Sequence, residues 1–116
     1  MKTSDYPATI EQTLLNLRAD QVELEDYCLQ LAIIEDGITA EILAAKDEKD
    51  KPLFPNEQAR GIELRARLRE NTVWQRVDKS RRDAEYNKAK TLAQLERLRG
   101  EFKVSLIERE YELRAA

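Results

Sequence analysis

Residues 10–45 read IEQTLLNLRADQVELEDYCLQLAIIEDGITAEILAA, and apolar side chains recur in this stretch at alternating steps of four and three residues. The predicted seam contains Ile10, Leu14, Leu17, Gln21, Leu24, Cys28, Leu31, Glu35, Ile38, Ile42 and Ala45. This spacing is the heptad pattern of coiled-coil helices and excludes a strand, in which apolar residues alternate. The stretch therefore predicts one long amphipathic helix, in which the polar seam residue Glu35 fixes the register or the oligomeric state.

A second line of apolar residues lies beside this seam. It consists of Leu15, Val22, Leu29 and Leu43, which we call the α1 stripe. One facing helix covers a narrow seam, whereas a wider apolar surface needs two neighbours. Residues 78–91 offer little apolar surface to cover it. These four residues are therefore the predicted self-association surface, and a homodimer is expected at micromolar concentration.

Helix-end signals place the first helix at about residues 9–46. Thr9 followed by Gln12 reads as a capping box, in which each side chain satisfies a free amide of the first turn. Residues 47–56 contain two prolines and a run of charges, so we expect a loop there.

A second helix is predicted at residues 57–70, with Asn56 as its N-cap. Leu53 and Phe54 are the expected anchors that hold the preceding loop against the helices. The third helix is predicted at 72–113, with a candidate capping box from Thr72 to Gln75. The pattern leaves open whether the second and third helices are continuous.

The expected fold is all-α. The two long helices form an antiparallel, coiled-coil-like hairpin. The remaining short helix, residues 57–70, lies near the turn. Dimerisation would complete the packing, and the whole chain, residues 1–116, would form one helical domain.

Charge is distributed unevenly between the two halves of the chain. Residues 1–50 contain twelve Asp and Glu against four Lys and Arg, whereas residues 51–116 contain eleven against sixteen. The first half is therefore strongly acidic and the second half basic. We expect the acidic first arm of the hairpin to lie along the basic second arm.

Composition argues against an enzyme and against a bound cofactor. The chain has no histidine, which removes the commonest general base and metal ligand. Cys28 is the only cysteine, so neither an intrachain disulfide nor a cysteine metal site can form. The three glycines are far apart and form no phosphate-binding loop. No catalytic, cofactor-binding or metal-binding residue is predicted.

Targeting signals are also absent from the pattern. Residues 1–10 carry no apolar run of the secretory type, and no stretch approaches the ~18 apolar residues of a membrane span. The expected location is the cytoplasm, with no membrane partner.

Basic residues between positions 60 and 90 are the one group that could bind nucleic acid. The candidate residues are Arg65, Arg69, Arg76, Lys79, Arg81, Arg82, Lys88 and Lys90. Basic side chains on a helix can neutralise phosphates, and the nearby Trp74 and Tyr86 could stack on bases. Acidic residues interrupt the stretch, however, and an intramolecular match to the acidic first helix explains the same charges. That second interpretation is favoured, with Trp74 packed under the second helix.

Two local patterns carry a resemblance to a known group. Phe54-Pro55-Asn56-Glu57 opens a short Arg-rich helix, and the long helix that follows carries Leu98-Arg99 and Phe102. Residues 50–105 thereby resemble small uncharacterised helical proteins found in phage and mobile-element genomes. Those proteins often have a proline near the start of the last helix, where this chain has Asn71-Thr72. The resemblance implies a context in mobile DNA and no particular activity.

Taken together, these patterns predict a non-enzymatic protein–protein interaction protein or a structural or accessory subunit. Its partners would be a second copy of the chain and a further protein that the sequence does not identify. The alternative is a nucleic-acid-binding accessory protein that uses residues 60–90.

Overall fold

Four helical segments follow one another in the computed structural model, which describes all 116 residues and contains no strand. A 3-10 turn, Thr3–Asp5, leads into α1 (Tyr6–Ala44), and α2 (Glu57–Glu70) and α3 (Thr72–Ala115) follow. The predicted fold class is confirmed: the chain is all-α, and α1 and α3 are the arms of a long helical hairpin.

The start of α1 differs from the prediction. The helix begins at Tyr6, so Thr9 and Gln12 lie inside it and form no capping box. The Thr9 hydroxyl instead donates to the carbonyl oxygen of Asp5 at 3.0 Å, one helical turn back. The turn before the helix is closed by the Asp5 carboxylate, which accepts a hydrogen bond from the backbone N–H of Lys2 at 3.0 Å.

The connector between α1 and α2 is an ordered turn built around Asp47. Its carboxylate accepts hydrogen bonds from the backbone N–H groups of Lys49 and Lys51, at 2.9 and 3.0 Å. Asp50 lies in the left-handed region with φ of 62°, which Asp adopts more readily than most residues. The charged loop that the sequence predicts therefore has a defined conformation.

Only one of the two predicted loop anchors packs through its side chain. Phe54 is half-buried, and the guanidinium carbon of Arg67 lies 5.8 Å from its ring centroid. The side chain of Leu53 is exposed, so the prediction for this residue is wrong. Leu53 holds the loop through its backbone, because its N–H donates to the carbonyl of Ala45 at 2.9 Å.

Two asparagines begin the later helices. The side chain of Asn56 accepts a hydrogen bond from the N–H of Ala59 at 2.8 Å, which confirms the predicted N-cap of α2. Asn71 interrupts the helix with an extended ψ of 105°, and its side chain accepts from the N–H of Trp74 at 2.8 Å. Asn71 thus separates α2 from α3.

The cap of α3 is Asn71 and not Thr72. The predicted partner of Thr72, Gln75, turns its side chain away from the helix start and donates to the carbonyl of Leu68 at 3.1 Å. This carbonyl, at the end of α2, also accepts from the backbone N–H of Asn71 at 3.2 Å, so the Gln75 amide is its second donor. Asn71 and Gln75 together therefore satisfy both helix ends at the break.

Contacts divide the chain into two units. The first unit contains residues 1–23 and 84–116, and the second unit contains residues 24–83. In the first unit, the beginning of α1 and the end of α3 run antiparallel, because Tyr6 meets Phe102 whereas Asp20, further along α1, meets Thr91.

Each unit has its own buried residues. In the first unit the rings of Tyr6 and Phe102 stack with centroids 5.5 Å apart, and the other buried residues are Thr13, Ala84, Leu95 and Leu98. In the second unit the buried residues are Leu31, Ile42, Leu68 and Val77. Burial of such side chains contributes about 1.5–3 kcal/mol each for the large apolar ones.

The buried face of α1 departs from the predicted seam at every second position of its first three heptads. The seam residues that are in fact exposed are Leu14, Gln21 and Cys28. Thr13 is buried in place of Leu14, and its hydroxyl donates to the carbonyl of Thr9 at 2.8 Å, so it needs no water there. Asp20 faces inward because its carboxylate accepts from the Thr91 hydroxyl at 2.6 Å. Cys28 is therefore an exposed thiol and not a seam residue.

The cap at Asn71 can be tested by replacing it with alanine. We expect Asn71→Ala to lower the free energy of unfolding by about 1 kcal/mol, because the first turn of α3 loses its side-chain acceptor. Urea denaturation followed by circular dichroism measures this difference. Asn87→Ala, at an exposed position inside α3, is the matched control and should leave stability unchanged or slightly higher. Equal stabilities of the two variants would contradict the capping role.

Candidate interaction surfaces

The α1 stripe is exposed in this chain. Leu15, Val22, Leu29 and Leu43 are each between 56% and 59% exposed. Steps of seven residues equal nearly two turns, so Leu15, Val22 and Leu29 share one face of α1. The residues buried on α1 lie on the opposite face.

Ile33 belongs to the same face and is absent from the predicted set. It is 63% exposed and follows Leu29 by four residues, which places the two side chains next to each other. The predicted α1 stripe includes only residues separated by multiples of seven, so Ile33, four residues after Leu29, was missed. The exposed apolar face of α1 is therefore larger than the α1 stripe alone.

Charged side chains border the α1 stripe. Exposed acidic residues on this side of the helix are Glu11, Glu25, Asp26 and Asp36. Arg18 is exposed one turn after Leu14 and provides a positive charge among them. Because both signs are present, the face can be complementary to another copy of itself in a suitable register.

The structure distributes the eight basic candidates over both units. Lys88 and Lys90 lie in the first unit, and the other six lie in the second. Asp78 pairs with two of them on its own helix, with Arg81 at 3.0 Å and Arg82 at 3.4 Å. In the first unit, the Lys90 ammonium lies 5.5 Å from the centroid of the Tyr86 ring.

Only Arg81 and Arg82 among the eight basic candidates make an ion pair. Of the other six, Arg65, Arg69, Arg76 and Lys79 are exposed in the second unit. The second unit also contains an ion pair from α2 to α1 at 3.8 Å, between Arg67 and Glu41. Arg67 is outside the predicted set, and an exposed pair of this kind contributes about 0–1 kcal/mol. This pair joins α2 to α1, so it is not part of the expected charge match between the two arms, α1 and α3.

Glu35 and Trp74 form a polar contact between α1 and α3 inside the second unit. Both residues are half-buried, and the indole N–H of Trp74 donates to the Glu35 carboxylate at 3.2 Å. A bond of this kind is lost if either helix moves by one residue. The contact agrees with the register role that the sequence predicts for Glu35. It also uses the indole N–H of Trp74, the residue considered as a base-stacking candidate.

Tyr6 combines packing and polarity in the first unit. Its ring is buried against Phe102, and its hydroxyl approaches the Glu101 carboxylate at 3.5 Å. Burial, followed by the charge of Glu101, raises the pKa of the Tyr6 hydroxyl above its usual value. Thr3 adds a hydrogen bond to Ser105, so the beginning of the chain is attached to the last third of α3.

Two other kinds of site are absent from the chain. No group of three or more His, Cys, Asp or Glu side chains has the arrangement of a metal site. None of the helices combines the length and the apolar character that a membrane-spanning helix requires.

Comparison of the chain with protein-family models, with curated proteins and with solved structures found no match.

The Glu35–Trp74 bond can be tested directly, because Trp74 is the only tryptophan. Glu35→Ala leaves the half-buried indole N–H without its acceptor, so we expect a loss of about 1 kcal/mol in unfolding free energy and a shift in tryptophan fluorescence. Asp36→Ala, at the exposed neighbouring position, is the control and should change neither. If both variants behave like the unmodified chain, the bond does not stabilise the hairpin.

Proposed function

We propose that this protein is a non-enzymatic interaction protein, a structural or accessory subunit that binds other protein chains through its helix surfaces. The observation that supports this function is the exposed α1 stripe. Covering one such half-exposed side chain contributes about 1–2 kcal/mol. Soluble proteins that act alone rarely expose a connected apolar face of this kind, so a protein partner is its natural cover.

A second copy of the chain is the proposed partner at the α1 stripe. If two α1 helices pack antiparallel around Val22, Leu15 of one copy lies opposite Leu29 of the second copy. The same register brings Arg18 close to Glu25 of the second copy, and the twofold symmetry forms each contact twice. A further protein partner could then bind surfaces that this pairing leaves uncovered.

The cellular context is part of the proposal. The resemblance of residues 50–105 to helical proteins of phage and mobile elements supports an accessory subunit that is encoded by mobile DNA. Cys28 is a free thiol, which agrees with a reducing compartment such as the cytoplasm. Genes for recombination, packaging or replication next to this one would support the assignment.

Disulfide crosslinking tests the pairing at the α1 stripe. In the proposed register Val22 faces Val22 of the second copy, so Val22→Cys in a Cys28→Ser background should form a covalent dimer on mild oxidation. The unmodified chain is the matched control, because its own Cys28 residues would lie about 18 Å apart along the helices. Non-reducing electrophoresis measures the fraction crosslinked.

A second variant measures the contribution of the apolar side chains. Val22→Gln with Leu29→Gln should lower the average mass in light scattering at micromolar concentration. Leu106→Gln with Leu113→Gln removes two exposed apolar side chains from the end of α3 and should leave the mass unchanged. Absence of a crosslink in the Val22→Cys variant, together with an unchanged mass in the first double variant, would refute this contact.

Nucleic-acid binding is the second candidate function, and the exposed cations of the second unit that make no ion pair, Arg65, Arg69, Arg76 and Lys79, favour it. Replacing all four by Gln tests it against a control with the same charge change, in which four exposed residues outside 60–90 become Gln: Lys2, Arg99, Arg109 and Arg114. On the favoured function, the unmodified chain should not retain labelled DNA or RNA near 150 mM salt. Retention at that salt, lost in the first variant and not in the control, would reverse the ranking.

A further inference from the structure

A second exposed apolar line runs along α3 in the first unit. Its positions follow one another at steps of four and three, and we call it the α3 seam: Tyr86, Lys90, Ala93, Arg97, Gly100, Val104, Ile107 and Tyr111. All eight residues are exposed. The seam lies on the side of α3 opposite the buried Leu95 and Leu98, so the hairpin does not cover it.

The length and composition of the α3 seam match a coiled-coil contact. It extends over about three and a half heptads, and a sustained heptad pattern of this length is typical of paired helices. Six of its positions are apolar or small, and the other two are Lys90 and Arg97. Long basic side chains can lay their aliphatic stems on an apolar surface, and a polar seam residue selects one register.

Gly100 leaves room for another helix to approach the α3 seam closely. A glycine inside a helix lowers its stability relative to alanine, and the interior of α3 extends well beyond Gly100 on both sides. No glycine in this chain has a positive φ, so the backbone does not require it. A Cβ atom placed on Gly100 would meet nothing within 4 Å, so packing inside the chain does not require it either. A partner helix could therefore pack against the backbone at this position.

A depression next to Gly100 has the form of a coiled-coil hole. It measures about 380 Å³ and is lined by four residues of one helix: Lys90, Ala93, Gln94 and Arg97. Their spacing of three, four and seven residues is that of the four residues that receive one side chain from a facing helix. Because Ala93 is small, the floor of this hole is open to an inserted side chain.

We propose that a second copy of this chain binds here, with its α3 seam antiparallel to the first. The register that matches small residues to large ones sets Ala93 opposite Val104 of the second copy. It also sets Arg97 opposite Gly100 of the second copy, where the missing side chain leaves room for the arginine stem. Twofold symmetry forms both pairs twice.

The charges beside the α3 seam are complementary in this register. Glu96 comes next to Lys103 of the second copy, and both residues are exposed without an ion pair in their own chain. Lys90 likewise approaches Glu108 of the second copy. A parallel arrangement would instead bring Glu96 next to Glu101 of the second copy and Lys103 next to Glu108, so that one repulsive pair offsets one attractive pair. Charge complementarity therefore supports a second copy as the occupant and favours the antiparallel orientation.

The α3 seam is separate from the α1 stripe, so each contact can be present without the other. The test uses the full chain carrying Val22→Gln and Leu29→Gln, in which only the α3 contact remains. In that background we expect concentration-dependent dimers in sedimentation velocity. Glu96→Lys alone and Lys103→Glu alone should each weaken dimerisation by roughly tenfold, because two attractive pairs per dimer become repulsive.

Mixing the two single variants provides the decisive measurement. One variant then carries two lysines and the other two glutamates at positions 96 and 103, so the mixed dimer regains two attractive pairs. We expect the equimolar mixture to dimerise as well as the background chain. Circular dichroism of each variant alone checks that both are folded, since both side chains are exposed.

Spin labels report the orientation of the two helices. In the antiparallel dimer, labels at Gln94 of the two copies lie about 15–20 Å apart and labels at Asn87 about 35 Å apart. Equal short distances at both positions, or a gain in affinity from Glu96→Lys, would indicate parallel helices and overturn the proposal. A monomeric background chain at high concentration, or a mixture that does not recover, would overturn it as well.

Discussion

Polar side chains on the inner face of α1 need partners once they are removed from water, and this requirement determines the register of the hairpin. Asp20 finds Thr91 in the first unit, and Glu35 finds Trp74 in the second. No buried side-chain nitrogen or oxygen lacks a hydrogen-bond partner. A shift of one residue would break these bonds and leave polar groups buried without partners, which costs about 1–3 kcal/mol for each group.

Polar residues on the inner face of α1 leave apolar residues on its outer face. Where Thr13 occupies the inner face, the neighbouring Leu14 and Leu15 turn towards solvent. The same displacement exposes Val22 and Leu29 further along α1. Apolar surface that the hairpin could have used for its own stability is thus left in contact with water, which is unfavourable.

Local signals in the sequence predicted much of the fold, and the tertiary details required the structure. Asn56 was recognised as a cap because its hydrogen bond involves only its own helix. The choice between Thr13 and Leu14 depends on what α3 presents across the hairpin, and periodicity favours the leucine because it counts only apolar residues. The exposure of Leu15 was predicted because it follows from the periodicity of one helix. The register of α1 was not, because it depends on contacts between distant residues such as Asp20 and Thr91.

Contacts in the two units close very different lengths of chain. The bond between Glu35 and Trp74 joins residues 39 apart, whereas that between Thr3 and Ser105 joins residues 102 apart. The entropy lost on closing a loop grows with the logarithm of its length, so the longer closure costs about 1 kcal/mol more. We therefore expect the second unit to form first when the chain folds, and the first unit, which carries both chain ends, to open first in hydrogen exchange. The order of these events follows from how far apart the paired residues lie along the chain.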